Sequence, residues 1–277
     1  MSNKNLADTK AKQFRAMHRP GEPFVIPNPW DAGSARVLEG SGFQALATTS
    51  SGLALTKGRH DYGLTREDVI THCGEVADAV DVPVTADLEN GWGLTSEDAS
   101  LTLCHALKTS LAGGSIEDSS GDDRNPIIEA SLAVERMSAA AEAINKDTRD
   151  FVLTGRAEAF LYGEADLDEV ISRLQAFAEV GADVLYAPGL PDMDAVRVVC
   201  KSVSKPVNVL VMGALANHTV QDFANAGAAR LSLGGALAWS AYGTLAGAST
   251  MLSSGTFEIL STNQSGAKSI AQHLRNG

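Results

Sequence analysis

Cysteine is scarce and poorly placed for cross-linking. Cys73, Cys104 and Cys200 are the three cysteines of a 277-residue chain, an odd number without CxxC spacing, which excludes a disulfide framework and a structural zinc site. All three fall in helix-like segments and read as buried small apolar residues; free thiols predict a reducing cytoplasm. Basic residues are also in deficit. With 22 Lys and Arg against 34 Asp and Glu, the net charge is -12, a field that repels nucleic acid and anionic membranes, so neither is expected as a partner. No apolar stretch approaches the roughly 18 residues of a spanning helix, and Met1 to Arg19 lacks the apolar core of a secretory leader. Aromatics are few, at 5%, beside 26 glycines, which fits many tight turns and helices packed through small residues. Small molecules and further copies of the chain are the expected partners.

Eight short apolar runs recur along the chain. They span residues 24–28, 45–50, 83–89, 113–118, 151–156, 184–188, 207–211 and 230–234, and each reads as a strand. Between them lie helix-period segments such as 66–80, 127–144 and 167–180; the last places Val170, Leu174, Phe177 and Ala178 on one face. Gly42, Gly181 and Gly227 end helices before strands, and Pro83 and Pro206 open strands where a missing N–H costs little. Eight strands alternating with helices predict a parallel (β/α)8 barrel, whose typical length is about 250 residues. With no low-complexity linker, residues 1–277 read as one barrel domain with a helical lead-in and a helical tail.

In such a barrel the C-terminal strand ends carry chemistry. Strand three ends in Asp87 and Glu89 and strand four in Glu117 and Asp118. Adjacent parallel strands lie about 4.8 Å apart, so these acids converge, and a divalent cation with oxygen ligands relieves their repulsion. Mg²⁺ is expected, with Mn²⁺ as the alternative; the competing reading makes the acids helix caps. Strand five ends Thr154-Gly155-Arg156-Ala157-Glu158, which sets Arg156 opposite the acidic cluster. Strand two ends Thr48-Thr49-Ser50-Ser51-Gly52-Leu53, strand six Tyr186-Ala187-Pro188, and strand seven carries Asn208.

The runs Asn28-Pro29-Trp30-Asp31-Ala32-Gly33-Ser34-Ala35, Ser51-Gly52-Leu53, Asp87-Leu88-Glu89-Asn90-Gly91-Trp92-Gly93, Ile116-Glu117-Asp118 and Gly155-Arg156-Ala157-Glu158-Ala159-Phe160 resemble the isocitrate lyase and phosphoenolpyruvate mutase superfamily, in order and spacing, over about residues 24–246. The nearest likeness is to its short bacterial, phosphonomutase-like branch. The resemblance implies that Asp87 binds Mg²⁺ directly while Glu89 and Glu117 hold its waters. It further implies that Thr49 and the Ser51-Gly52-Leu53 turn, through backbone N–H groups, meet a substrate carboxylate, that Arg156 clamps the same 2-oxo acid or its enolate, and that Asp61 lies near the metal waters with Asn208 near the substrate. His60, beside Asp61, reads either as a proton shuttle or as a solvent-facing loop residue. The family also implies a homotetramer, a dimer of dimers that exchange the helix after strand eight; residues 236–251 are small and apolar on most faces and need burial on more than one side.

Departures narrow the chemistry. Lyases of the family carry a Lys-Lys-Cys-Gly-His type loop after strand four, where this chain has Ser119-Ser120-Gly121-Asp122-Asp123-Arg124-Asn125-Pro126. The mutases' Lys and Asn pair is not matched there either, and a lyase glutamate at strand six is replaced by Tyr186-Ala187-Pro188. Loss of CO₂ needs no protein acid, so the expected activity is an Mg²⁺-dependent lyase or decarboxylase acting on a small 2-oxo or 2-hydroxy (di)carboxylate through a pyruvate-enolate-like intermediate, with Arg156, Asp61 and Glu117 as catalytic groups. Phosphonopyruvate-type C–P cleavage or mutase chemistry is the first alternative and a non-catalytic 2-oxo acid binding barrel the second. Gly234-Gly235 also matches a phosphate-binding turn, but a sugar-phosphate aldolase would need a strand-end lysine for a Schiff base.

Overall fold

The computed structural model describes residues 3–163, 166–261 and 263–274. Its eight strands are β1 (Phe24–Ile26), β2 (Leu46–Ala47), β3 (Val84–Asp87), β4 (Gly113–Glu117), β5 (Val152–Arg156), β6 (Val184–Tyr186), β7 (Val207–Leu210) and β8 (Arg230–Ser232). Each lies inside an expected run. The chain places α1 (Asn3–Met17) before β1, then α2 (Ala32–Gly40), α3 (Ser50–Thr56), α4 (Arg66–Ala79), α5 (Ser96–Ala106), α6 (Ala130–Asn145), α7 (Leu167–Glu179), α8 (Met193–Ser202), α9 (Val220–Ala226), α10 (Ala236–Ser253) and α11 (Asn263–Ala271). The outermost ends of the expected lead-in and tail, 1–2 and 275–277, lie outside the described residues.

All strands pair in parallel, in the order β1-β8-β7-β6-β5-β4-β3-β2. The remaining gap is bridged by one backbone bond from Ala47 N–H to Pro27 O, 3.1 Å. This nearly closed sheet wrapped in helices is a (β/α)8 barrel. Strand parity then sorts the side chains. Register pairs Arg156 with Tyr186, Tyr186 with Asn208, and Asn208 with Arg230, and all four line the barrel interior.

The helices follow their sequence periods. On α7, Val170, Ile171, Leu174, Phe177 and Ala178 are buried. Gly227 ends α9 with φ 95°, a left-handed cap that favours glycine. The segment expected to be helical from residue 127 starts later, at Ala130, because Ile127 bridges to Ser119 and Glu129 accepts from the Ser131 and Leu132 N–H groups as the cap. The cysteines are not uniformly buried as expected: Cys73 is, Cys200 is half-buried and Cys104 is exposed. On α5 the inward stripe is Ala99, Thr102, Leu103 and Ala106, and position 104 falls off it.

Two helices stand apart. Helix α1 plugs the N-terminal end of the barrel, with Phe14 fully buried and edge-on to Phe24 at 6.2 Å. Helix α10 leaves the other end with Ala238 as its buried residue, while Trp239 is 57% and Leu245 61% exposed. Among the described residues no helix is long and apolar enough to cross a membrane.

Candidate active site

Asp87, Glu89 and Glu117 all lie at the C-terminal ends of β3 and β4, where Asp87 and Glu117 flank Arg156 and Glu89 feels the charge of Asp87. Asp87 ends β3; its Oδ2 accepts from Ser50 Oγ at 3.0 Å and Ser50 N–H at 3.3 Å, while Oδ1 accepts from Glu89 N–H at 3.3 Å. It therefore ties the first turn of α3 to the loop after β3. Glu89 is buried at φ 47°, a left-handed conformation that a non-glycine residue holds only when its surroundings enforce it. Burial first, then the charges of Asp87 and Asp61, push its carboxyl up to about 8. Glu117 is 3% exposed, and burial holds its carboxyl far above the usual range against the opposing pull of Arg156.

Two guanidinium groups, one buried and one half-buried, fasten the loop that carries Glu89. Arg136, from α6, donates to the carbonyls of Asn90, Gly93 and Thr95. Arg66, from α4, donates to Gly91 O at 3.0 Å and Trp92 O at 3.2 Å. Neither role is legible in sequence, where both read as ordinary helical charges.

Arg156 faces the cluster from β5. Its Nε and Nη2 donate to the two oxygens of Glu158, and Nη1 lies 3.3 Å from Asp87 Oδ1 and 3.1 Å from Glu117 Oε2. The planar fork expected on the substrate is thus taken by Glu158, and one edge remains for the mouth. The Tyr186 ring lies 5.2 Å from the guanidinium carbon. Asp118, beside Glu117, turns outward by strand alternation and accepts from Glu158 N–H at 2.8 Å, with Arg173 at 3.4 Å.

Ser51, Gly52 and Leu53 form the first turn of α3 rather than a loop turn. Thr49 caps that helix: its Oγ1 accepts from Gly52 N–H at 3.2 Å and its carbonyl from Leu53 N–H at 3.0 Å. Those two donors, expected to be free for a carboxylate, are therefore engaged. A Cβ at Gly52 would stand 2.6 Å from Thr49 Cγ2 and 3.0 Å from Trp30 Cβ, so the close packing admits glycine alone. Ser51 Oγ instead meets Trp239 Nε1 of α10 at 3.0 Å.

Asp61 lies on the exposed rim with its carboxyl turned into the mouth, where enclosure and Asp87 raise it against a hydrogen bond from Ser50. His60 beside it is exposed. Tyr62, which has no sequence signal, sits at φ 59° and donates its phenol to Glu117. Asn208 is inside the barrel, with Oδ1 accepting from Arg230 Nε at 2.9 Å and Nδ2 donating to Ser232 Oγ at 2.9 Å. Arg230 is thus a second cation within the barrel beside Arg156. Its shared parity with Ser232 was the available signal.

Asp61, Asp87, Arg156, Asn208 and Arg230 line a cavity of about 170 Å³ that runs from Gly234 and Gly235 at the mouth down to Thr154. The loop from 119 to 128 folds beside it as a small hairpin, with Ser120 N–H bonded to Pro126 O and Ser119 Oγ 3.2 Å from Tyr162 Oη. Among the described residues no three His, Cys, Asp or Glu side chains are gathered closely enough to hold an ion between them. The donors present are carboxylates, and burial, followed by the charges of Asp87 and Asp61, raises Glu89. Such a set fits Mg²⁺, which keeps most of its waters and takes one or two carboxylates.

The sequence matches the family model described as phosphoenolpyruvate phosphomutase over residues 14–253. The 2-methylisocitrate lyase of Escherichia coli K12 is 28% identical over 225 residues, covering 78% of this chain and 75% of that one. Among solved structures, a candidate lyase/mutase from Burkholderia cenocepacia J2315 is 43% identical with a TM-score of 0.88 and 93% of each chain covered. A candidate phosphonomutase from the same strain is 31% identical with a TM-score of 0.82, covering 90% of this chain and 100% of that one. The acidic mouth, its arginine and the eight-stranded frame accordingly belong to a member of the phosphoenolpyruvate phosphomutase family.

Proposed function

We propose that this protein is an Mg²⁺-dependent carbon–carbon lyase of decarboxylase type, acting on a small 2-oxo or 2-hydroxy dicarboxylate through a pyruvate-enolate-like intermediate. The observation that carries this reading is Arg156 set against Asp87 and Glu117, with Glu89 next to Asp87, beside a cavity sized for a small acid. Asp87, with Glu89 and Glu117 through water, would hold Mg²⁺, which when bound would supply Lewis-acid stabilisation of developing negative charge. Arg156 adds a positive edge aimed at the same place. Glu158 grips the other side of the guanidinium, so its orientation does not depend on the ligand and little reorganisation accompanies charge development. Tyr62 keeps its proton: burial, above all, drives the phenol well above its ordinary range. It donates that proton to Glu117 in a hydrogen bond and so fixes the orientation of the carboxylate. Asp61 and Ser50 hold the rim.

The loop from Ser119 to Pro126 brings no cysteine, histidine or lysine, which suits departure of CO₂ without a protein acid. The 28% identical relative is a 2-methylisocitrate lyase, which supports the C–C class. Phosphonopyruvate-type C–P cleavage is the second reading, favoured by the 31% likeness to a candidate phosphonomutase. Assay of a panel of 2-oxo and 2-hydroxy diacids for CO₂ or carbonyl product, with phosphonopyruvate for phosphate release, separates the two. Absence of Mg²⁺-dependent turnover on every acid of the panel would sink both and leave a binding barrel. The same reading takes the chain as one cytoplasmic domain that assembles as a tetramer by exchange of α10.

A further inference from the structure

The floor of the cavity carries a cation without a counter-ion. Arg230 opens β8 with its side chain inside the barrel, 4% exposed. Its Nε donates to Asn208 Oδ1 at 2.9 Å, its Nη2 to Thr154 Oγ1 at 3.2 Å, and its Nη1 lies 3.2 Å from His18 Nε2. His18 Nδ1 is 2.8 Å from Phe14 O, which can only accept, so Nδ1 carries the proton and Nε2 accepts from Arg230. Burial, helped by Arg230, pushes the imidazole down to about 3 and keeps it neutral. The Phe14 ring lies below at 5.9 Å.

Every partner of Arg230 is therefore uncharged, and among the described residues no carboxylate forms an ion pair with it. Burial without neutralisation draws the guanidinium down to about 10. Arg156 in the same cavity is the opposite case, ringed by Glu158, Glu117 and Asp87. Buried charges are ordinarily paired. A lone one lining a cavity marks where an anion from outside would complete the balance.

Its depth suits a particular shape of anion. The Arg230 guanidinium reaches Thr154, two residues before Arg156 on β5, about 7 Å further into the barrel. Between the two levels the wall is uncharged, with polar groups at Thr85, Ser115, Tyr186, Asn208 and Ser232 among apolar ones at Ala47, Ala86 and Leu210. The volume of about 170 Å³ far exceeds the roughly 15 Å³ one water requires. We infer that Arg230 binds the second carboxylate of the substrate, so that the site takes a short diacid lengthwise, its reacting 2-oxo or 2-hydroxy end at the mouth and its other end on the barrel floor. This rests on the proposed function above and adds the group that selects diacids over monoacids of equal length.

Calorimetric titration of the full chain in the presence of Mg²⁺ tests it with three probes. Oxalate reports the mouth alone, malate spans both levels, and 2-hydroxybutyrate is malate with a methyl in place of the far carboxylate. The wild type should prefer malate over 2-hydroxybutyrate by at least about tenfold, the scale of one charge-assisted contact. In Arg230→Gln that preference should vanish while oxalate binds as before, and Arg230→Lys should restore part of it. If Arg230→Gln does not fold, Thr154→Val, which removes one support of the guanidinium, should weaken malate and leave oxalate unchanged. A malate preference that persists in Arg230→Gln, or in Thr154→Val where the former is unfolded, overturns the inference while oxalate binding keeps the proposed function standing. Failure of the wild type to bind oxalate overturns that function and this inference together.

Discussion

Arg156 and Glu158 stand two positions apart and face each other as a fork, both edge nitrogens of the guanidinium on both carboxylate oxygens. The pair is almost wholly buried, so it fixes where the remaining nitrogen, Nη1, points. An ammonium in its place would hold the charge without the plane. Arg156→Lys should lower turnover on the order of 10²-fold, as loss of one oriented donor does elsewhere, with folding retained. Steady-state kinetics beside a thermal melt decide it: equal catalytic constants would reduce Arg156 to an architectural ion pair.

Asp87 has two expected tasks, binding Mg²⁺ and receiving Ser50 Oγ and N–H at the start of α3. Asp87→Ala should abolish detectable Mg²⁺ binding in calorimetry and with it turnover. Loss of the contacts to α3 should cost about 1 kcal/mol of stability, the scale of a helix cap. A variant that keeps wild-type turnover in excess chelator would refute the metal assignment.

The pH behaviour of the metal-free protein follows from Glu89. Its folded carboxyl titrates near 8, above the ordinary 4.5, so the folded state binds more protons than the unfolded state between these values. The associated stability is complete below about 4.5 and is lost as pH rises through about 8. Metal-free protein should therefore melt lower at pH 8.5 than at pH 6, and Mg²⁺, which needs the deprotonated carboxylate, should bind more tightly at the higher pH and release a proton. Proton release measured in two buffers of different ionisation enthalpy checks the second half; none at pH 7 would contradict it.

Trp239 and Leu245 leave two apolar faces of α10 in need of cover, which exchange between copies would provide. Light scattering at micromolar concentration should give a mass near four chains. A stable species near 28.9 kDa would show that the helix stays on its own barrel.

All eight strands were legible in sequence because each falls in a short apolar run between helix-period segments, a local signal. The parts that were not legible depend on distant contacts. Tyr62 reaches Glu117 across 55 positions from a loop that reads as a plain turn. Arg136 looks like a surface charge on an alanine-rich helix until the loop carbonyls it holds are seen. Gly52 argues against helix by propensity, yet packing on Trp30 and Ala238 makes glycine the residue that lets α3 start there. Cys104 was misplaced because burial was assigned to a residue type rather than to a helix face.

Phe24 pairs with Arg230, so the first strand finds its ladder only after the last has been made. Its other flank offers a single bond, Ala47 N–H to Pro27 O. A chain emerging from the ribosome would carry β1 unpartnered while β2 to β7 gather as an open sheet with raw edges, the arrangement most open to edge-to-edge association. Closure across roughly two hundred residues places the slow, entropy-laden step at the end. Glu117 and Arg156, on neighbouring middle strands, could already be side by side in that half-made sheet, whereas the cavity floor cannot exist until Arg230 arrives to shut it.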